Sequence, residues 1–235
     1  MELLRIGAPK DRGRLKQLIT RRSNERDIEA WVRPIVDAVR RRGDAAVVDF
    51  TRKFDGVRLT SARLRVPPDE IAAAPAAIEP RLLRALRQAK RHIEAYHRHQ
   101  RRASWTMQAR GGAVIGERIV PLRRVGIYVP GGVAPLVSTV LMSVVPATVA
   151  GVAEIVVVTP PRKRGRISPA VLAACALCGV DEVYRVGGAQ AIAALAYGTR
   201  AIARVDKVVG PGNIFVTTAK KLVYGTVALD APYGP

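Results

Sequence analysis

The chain carries 235 residues, 49% of them hydrophobic, enough to bury a core in one large or two small domains and too apolar for a disordered chain. Lys and Arg number 39 against 19 Asp and Glu, a net charge of +20. No run of 18 apolar residues occurs, MELLRIGAPKDRGR lacks the apolar segment of a secretory signal, and two cysteines make no disulfide framework, so a cytoplasmic protein without a membrane span is expected.

The positive charge is uneven: from Arg124 onward there are 11 basic and 5 acidic residues, a net +6, which leaves +14 for residues 1–123. Such an excess draws polyanions to a surface. No nucleic-acid-binding module accompanies it, so an Arg-rich solvated surface is the simpler reading and nucleic acid is not the expected partner. A basic polyanion-binding protein stays as an alternative.

In chain order, residues 11–22 and 27–42 read as Arg-rich helices, the second with Ile28, Trp31, Ile35, Val36 and Val39 at helical spacing. Gly43 supplies a stop, and AAVVDFTRKFD resumes a helical pattern. RLTSARLRVPP reads as a short strand and turn. Residues 69–102 form a long helical stretch interrupted near Pro75 and Pro80, with Asp69 and Glu70 suiting its first turn. WTMQARGGAVIGERIVPL reads as a β-hairpin or extended linker turning at Gly111-Gly112.

At Arg124 the composition shifts to short β-branched runs alternating with Ala-rich helical segments. The predicted strands are VGIYV (125–129), EIVVVT (154–159), EVYRV (182–186), DKVVG (206–210) and TVALDA (226–231). The predicted helices between them cover 136–150, where Pro146 should kink or break the helix, 168–179, 189–198 and 213–225. In the second, Ser168 is the expected N-cap, Pro169 the first position and Gly179 the end. Strands this apolar are covered on both faces, as parallel sheets require. The fold class is therefore α/β: a Rossmann-like, doubly wound, mainly parallel sheet over residues 124–235, preceded by a helix-rich region over residues 1–123.

Ligands of such sheets bind beyond the carboxyl ends of the strands. Three Gly-rich turns fall there: Pro130-Gly131-Gly132, Gly187-Gly188-Ala189-Gln190 and Gly210-Pro211-Gly212-Asn213. Glycine lets a bound group approach the backbone, and a helix N-terminus favours phosphate. None of the turns is a GxGxxG fingerprint. Tyr128, Gln190 and Asn213 are the polar residues beside them. Each has a structural alternative, a packed strand aromatic for Tyr128 and helix caps for the other two. A non-catalytic nucleotide-binding or interaction protein fits this pattern as well as an enzyme does.

Elsewhere, His92 and His99 share a helix face but stand a full two turns apart, too far for one metal, and His97 points away. Cys175 and Cys178 form a CxxC at a helix C-terminus, where thiolate is disfavoured, so small buried hydrophobes are expected. The basic loop PRKRGR (161–166) is expected to be exposed, with phosphate steering as its alternative.

RRVGIYVPGGVAPLVSTVLMSVVPATVAGV, VGGAQAIAALAYGT and VDKVVGPGNIFVTTAKKLVYGTVALDAPYGP resemble the signature segments of the histidinol dehydrogenases, and GDAAVVDFTRKFDGV and IEAYHRHQ are similar to that family's N-terminal part. The resemblance runs from about residue 28 to the end. It implies Rossmann-like domains without the usual fingerprint, and oxidation of L-histidinol through the aldehyde to L-histidine with NAD and a substrate-holding zinc. It also implies that Tyr128, Gln190 and Asn213 contact NAD. The family's substrate serine follows the GP at which this sequence stops, and its zinc ligands, Glu-His proton-transfer pair and dimer-forming part come later still. No catalytic and no metal residue is therefore assigned here. The resemblance implies a chain truncated or split and inactive alone, which a C-terminal half made as a separate polypeptide could complete, in a family whose enzymes are homodimers.

Overall fold

The computed structural model describes residues 12–13, 25–131 and 136–231. The helix expected over 11–22 lies outside these residues except for Arg12 and Gly13, and Gly132 lies outside them as well. The N-terminal part contributes helices α1 (Glu25–Arg42), α2 (Asp44–Asp55), α3 (Pro68–Ala73) and α4 (Pro80–Arg98) and an antiparallel hairpin of β1 (Trp105–Gln108) and β2 (Val114–Glu117). There follow β3 (Arg124–Tyr128), α5 (Val137–Val149), β4 (Glu154–Thr159), α6 (Pro169–Leu177), β5 (Glu182–Arg185), α7 (Gly188–Tyr197), β6 (Lys207–Val209), α8 (Ile214–Val223) and β7 (Ala228–Leu229). No described helix is long and apolar enough to cross a membrane.

The last five strands form one parallel sheet in the order β5-β4-β3-β6-β7. The chain starts at the centre, winds outward through β4 to β5, then crosses back over β3 to β6. Parallel crossovers are right-handed, so reversing the direction of travel transfers the helices to the opposite face. Alternate residues of each strand supply the two faces. Val125, Ile127, Val157 and Val183 pack with α5 and α6, whereas Tyr128, Val156, Val158, Tyr184 and Val208 pack with α7 and α8. Gly126 of β3 makes room for Leu195 of α7: a Cβ there would stand 2.8 Å from a leucine methyl. The eight residues Ala189–Ala196 of α7 are all buried, as a helix apolar on every side must be.

What covers α7 and α8 is the N-terminal part. Val32, Val36 and Val39 of α1 and Val47 of α2 are 0–3% exposed within the same cluster as Ile192 and Leu195. Of the expected apolar face of α1, Val36 and Val39 are in the core and Ile28 and Ile35 pack against it, but Val32 stands there in place of Trp31, which is 74% exposed. On the other face α4 lies against α5 and α6, and its Lys90 donates to the Leu177 carbonyl at 2.7 Å, serving the C-terminus of α6.

The interruptions expected near Pro75 and Pro80 are present, while other local details depart from expectation. Residues 69–102 divide into α3, a short 3-10 turn (Ala74–Ala77) and α4, each α-helix opened by a proline at its first position. Ser168 precedes α6 as expected but makes no side-chain cap; its carbonyl accepts from Val171 and Leu172 instead. Pro146 does not break α5. The carbonyl it leaves unbonded belongs to Met142, which is exposed and so can be served by water. The last strand is two residues long rather than six, since only Ala228 and Leu229 pair with β6.

The segment 64–66 closes the other edge of the sheet. Val66 N–H donates to the Val183 carbonyl at 2.8 Å, and Arg185 N–H to the Leu64 carbonyl at 2.7 Å. The Arg185 guanidinium, 11% exposed, bonds the Arg63 and Arg65 carbonyls and Glu70. An edge strand left bare would be a template for foreign pairing. Arg185→Ala is expected to lower stability in urea denaturation by about 2 kcal/mol, because acceptors are left unpaired. It should also accelerate amide exchange at Val66 more than at Val157.

Candidate functional site

All five strands run the same way, so the turns after β3, β5 and β6 share one rim. At that rim lies a cavity of about 820 Å³, within the range of small-molecule sites. Its sheet side is built from Tyr128, Pro130, Pro160, Gly188, Gln190 and Asn213, and its outer wall from Trp31 and Ile35 of α1 and Phe50, Phe54 and Asp55 of α2. The three residues anticipated from the strand ends therefore meet in one place. The residues of the outer wall were not anticipated.

Pro160 governs the floor. A Cβ on Gly131 would meet its ring at 2.3 Å, and one on Gly187 at 2.4 Å. These two glycines are small because a proline ring from the neighbouring strand end fills their space, a packing reason rather than a ligand reason. Gly210 has its own constraint: at φ +111 it is in a conformation closed to ordinary residues, and a Cβ would strike the Tyr128 carbonyl at 2.2 Å.

The three candidate side chains differ in how far the protein satisfies them. Asn213 is a true N-cap, its Oδ1 accepting from Val216 N–H at 3.1 Å. Tyr128 is 4% exposed, and its hydroxyl accepts from Gly188 N–H at 3.2 Å. Burial pushes its phenol up to about 12. A ring so enclosed has no face for stacking, which leaves its hydroxyl as the functional end. Gln190, at the third position of α7, makes no cap: it is 1% exposed and neither its Oε1 nor its Nε2 has a hydrogen-bond partner. A buried amide left wholly unpaired is rare and destabilising.

Asp55 shares that condition. It ends α2, its Oδ2 is buried without a partner, and burial pushes its carboxyl up to about 6. Phe50 and Phe54 stack beside it with centroids 5.8 Å apart, and the Lys53 ammonium lies 5.5 Å from the Phe54 centroid. The signal available in the sequence was the pair of phenylalanines four apart on FTRKFD, closed by an acid in a last helical turn, where the helix dipole disfavours one.

The turn after β6 is held from behind. The Asp230 carboxylate accepts from Gly210 N–H at 2.7 Å, from Ala231 N–H at 2.7 Å and from the Lys220 ammonium at 2.8 Å. Lys220, 1% exposed, also donates to the Gly210 carbonyl at 2.5 Å. Both backbone groups of Gly210 are thereby fixed by one ion pair.

The two cysteines and the three histidines stay apart from the cavity. Cys175 is fully buried and Cys178 partly so, and burial raises both thiols, Cys178 to about 11, which keeps them protonated and unreactive. Of the PRKRGR loop, Arg162 borders the cavity. Among the described residues no three His, Cys, Asp or Glu side chains gather to hold a metal ion, so the zinc implied by the resemblance finds no ligand set there.

A parallel sheet whose winding reverses at its central strand, with a cavity at the carboxyl rim, defines a doubly wound α/β protein of the kind that takes ligands at the switch point. The histidinol dehydrogenase family model matches residues 19–235. Histidinol dehydrogenases of a Synechococcus strain and of Moorella thermoacetica are 55% and 54% identical to the chain, over 88% of it and 48% and 49% of their own lengths. The crystal structure of the histidinol dehydrogenase from Elizabethkingia anophelis superposes with a TM-score of 0.83 at 39% identity, covering 88% of this chain and 48% of that one. The chain belongs to the histidinol dehydrogenase family, and it spans about half the length of the relatives it matches.

Lys220→Met keeps the stem but leaves the Asp230 carboxylate without its counter-ion and removes the ammonium donor to the Gly210 carbonyl; it is expected to lower stability by about 3 kcal/mol in urea. Asn213→Ala, which removes a cap, should lower it by about 1 kcal/mol.

Proposed function

We propose that this chain forms the dinucleotide-holding part of an NAD-dependent histidinol dehydrogenase, the oxidoreductase that takes L-histidinol through the aldehyde to L-histidine in histidine biosynthesis. Within it, residues 124–235 are the NAD-binding unit and the preceding helices complete its faces. L-histidinol, the zinc, a second copy of the chain and the C-terminal portion belong to the whole enzyme, for which a cytoplasmic location is also proposed.

The observation that carries the reading is Gln190, whose buried amide brings an NH2 donor group and a carbonyl acceptor to the cavity and finds no partner within the protein. Such a group is stabilised only by something that enters. The Gly188–Gln190 turn opens α7 at the same spot, and its helix N-terminus favours an anionic group such as pyrophosphate. Asn213 commits its oxygen to the cap, leaving its amide N–H for the ligand. Tyr128 lends its hydroxyl from below. NAD, when bound, supplies the hydride acceptor for the alcohol and aldehyde oxidations. The chain's own residues hold it, and the packed floor keeps water from the side facing the sheet.

Two substitutions separate binding from structure. Gln190→Met exchanges an unpaired buried amide for an apolar chain of similar length. It should raise the stability of the free protein by about 1 kcal/mol while weakening NAD binding about ten-fold in calorimetric titration. Asn213→Asp retains the capping oxygen but loses the amide N–H, so NAD affinity should drop with little change in the urea midpoint. A wild-type chain that gives a flat NAD titration at millimolar concentration would remove the reading. For the whole enzyme, this chain mixed with a separately produced C-terminal portion, zinc, NAD and histidinol should form NADH.

A further inference from the structure

We infer that Asp55, at the end of α2, is a specificity residue that accepts hydrogen bonds from the vicinal hydroxyls of the dinucleotide's adenosine ribose and so selects NAD over its 2′-phosphorylated form. The inference rests on the dinucleotide reading above and deepens it.

Four observations lead to it. First, Asp55 lines the cavity that contains Gln190, and its Oδ2 is buried with no hydrogen-bond partner. Second, its position is doubly unfavourable for an empty site: α2 ends there, at Gly56 in the left-handed conformation, and the negative end of a helix repels a carboxylate. Third, α2 is anchored at its far end, where the Asp44 carboxylate accepts from Ala201 N–H at 3.1 Å, so Asp55 is presented by a fixed element rather than a loop. Fourth, the cavity that Asp55 lines holds two further kinds of surface. The stacked Phe50 and Phe54 with Trp31 offer a surface for a flat heterocycle. The start of α7 at Gly188, in the same lining, offers a place for phosphate. Between a base and a pyrophosphate a dinucleotide has a ribose, whose two hydroxyls are donors matched to a carboxylate.

The charged and titratable groups around the cavity are Lys53 on the same helix, Tyr128 from the end of β3, Arg162 from the loop after β4, and Asp55 itself. The cavity-lining residues of α1, α7 and α8 contribute neutral groups only. No histidine and no second carboxyl lines it among the described residues, so a binding step that is sensitive between about pH 5 and 7 belongs to Asp55. Hydroxyl donors bind the carboxylate better than the acid. With the free carboxyl raised to about 6, NAD binding therefore expels a proton, and affinity increases as pH rises through that value.

The test is calorimetric titration of the full chain with NAD and with NADP, for the wild type and for Asp55→Asn, at pH 5, 6, 7 and 8. The expected result is wild-type preference for NAD over NADP of about ten-fold or more at pH 7. Its NAD affinity should climb between pH 5 and 7, with proton release seen as a dependence of heat on buffer ionisation. Asp55→Asn should bind NAD about ten-fold more weakly, with the preference reduced toward unity and the pH dependence flattened. The substitution is isosteric and removes a disfavoured charge, so its urea midpoint should not fall. If it does, the proton-release measurement on the wild type decides alone, and binding without proton release at pH 6 overturns the inference. Wild-type NAD binding that Asp55→Asn leaves unchanged in strength, preference and pH profile also overturns it while leaving the dinucleotide reading intact. Absence of wild-type NAD binding would defeat that reading first, and this one with it.

Discussion

Right-handed crossover of parallel strands is the constraint from which the rest of this molecule follows. Because β3 is laid down first and at the centre, the chain fills one side of it with β4 and β5 and must return across it to reach β6 and β7. The return transfers the helices to the opposite face. It also parts the loops on either side of β3, so that the turns after β3, β5 and β6 border a crevice instead of closing over the sheet. Tyr128, Gln190 and Asn213 are close in space because that winding requires it, although long stretches of chain separate them.

The sheet's two apolar faces then need cover, and the helices of the N-terminal part provide it. The same α1 and α2 that bury Val32, Val36, Val39 and Val47 against α7 carry Trp31, Phe50, Phe54 and Asp55 to the mouth of the crevice. The same two helices therefore cover the sheet's helices and line the crevice, with Ile35 and Phe50 taking part in both. At the other rim Arg124 ties three strands together, its guanidinium bonding Glu154 and Glu182 and its N–H donating to Asp206. That rim is closed by charge pairing, and the carboxyl rim is left open.

The alternation of β-branched runs and Ala-rich segments from Arg124 onward was legible, because a strand buried on both faces has almost no polar position and its period is unmistakable. The hairpin at Gly111-Gly112 was legible for a comparable reason, local turn chemistry. Less so was the face of α1, where Trp31 and Val32 are adjacent and both apolar, and only the partner helices decide which is buried. The shortness of β7 depends on how far β6 extends beside it, which no local pattern records. Of the site, the half that lies on strand ends could be read from position. The half on α2 could not, since Asp55 and Phe54 reach the cavity only through tertiary packing. The state of Gln190 was equally hidden: a glutamine at a helix start reads as a cap, and only the structure leaves its amide without a partner.

Pro160 gives the crevice a property of its own. Its ring is wedged between Gly131 and Gly187 so closely that neither tolerates another carbon, and a pyrrolidine has no rotamers to lose. The bottom of the crevice is accordingly set before any guest arrives. Little chain entropy remains to be surrendered on docking, and the contacts made there convert to affinity with less loss than they would on a pliant loop.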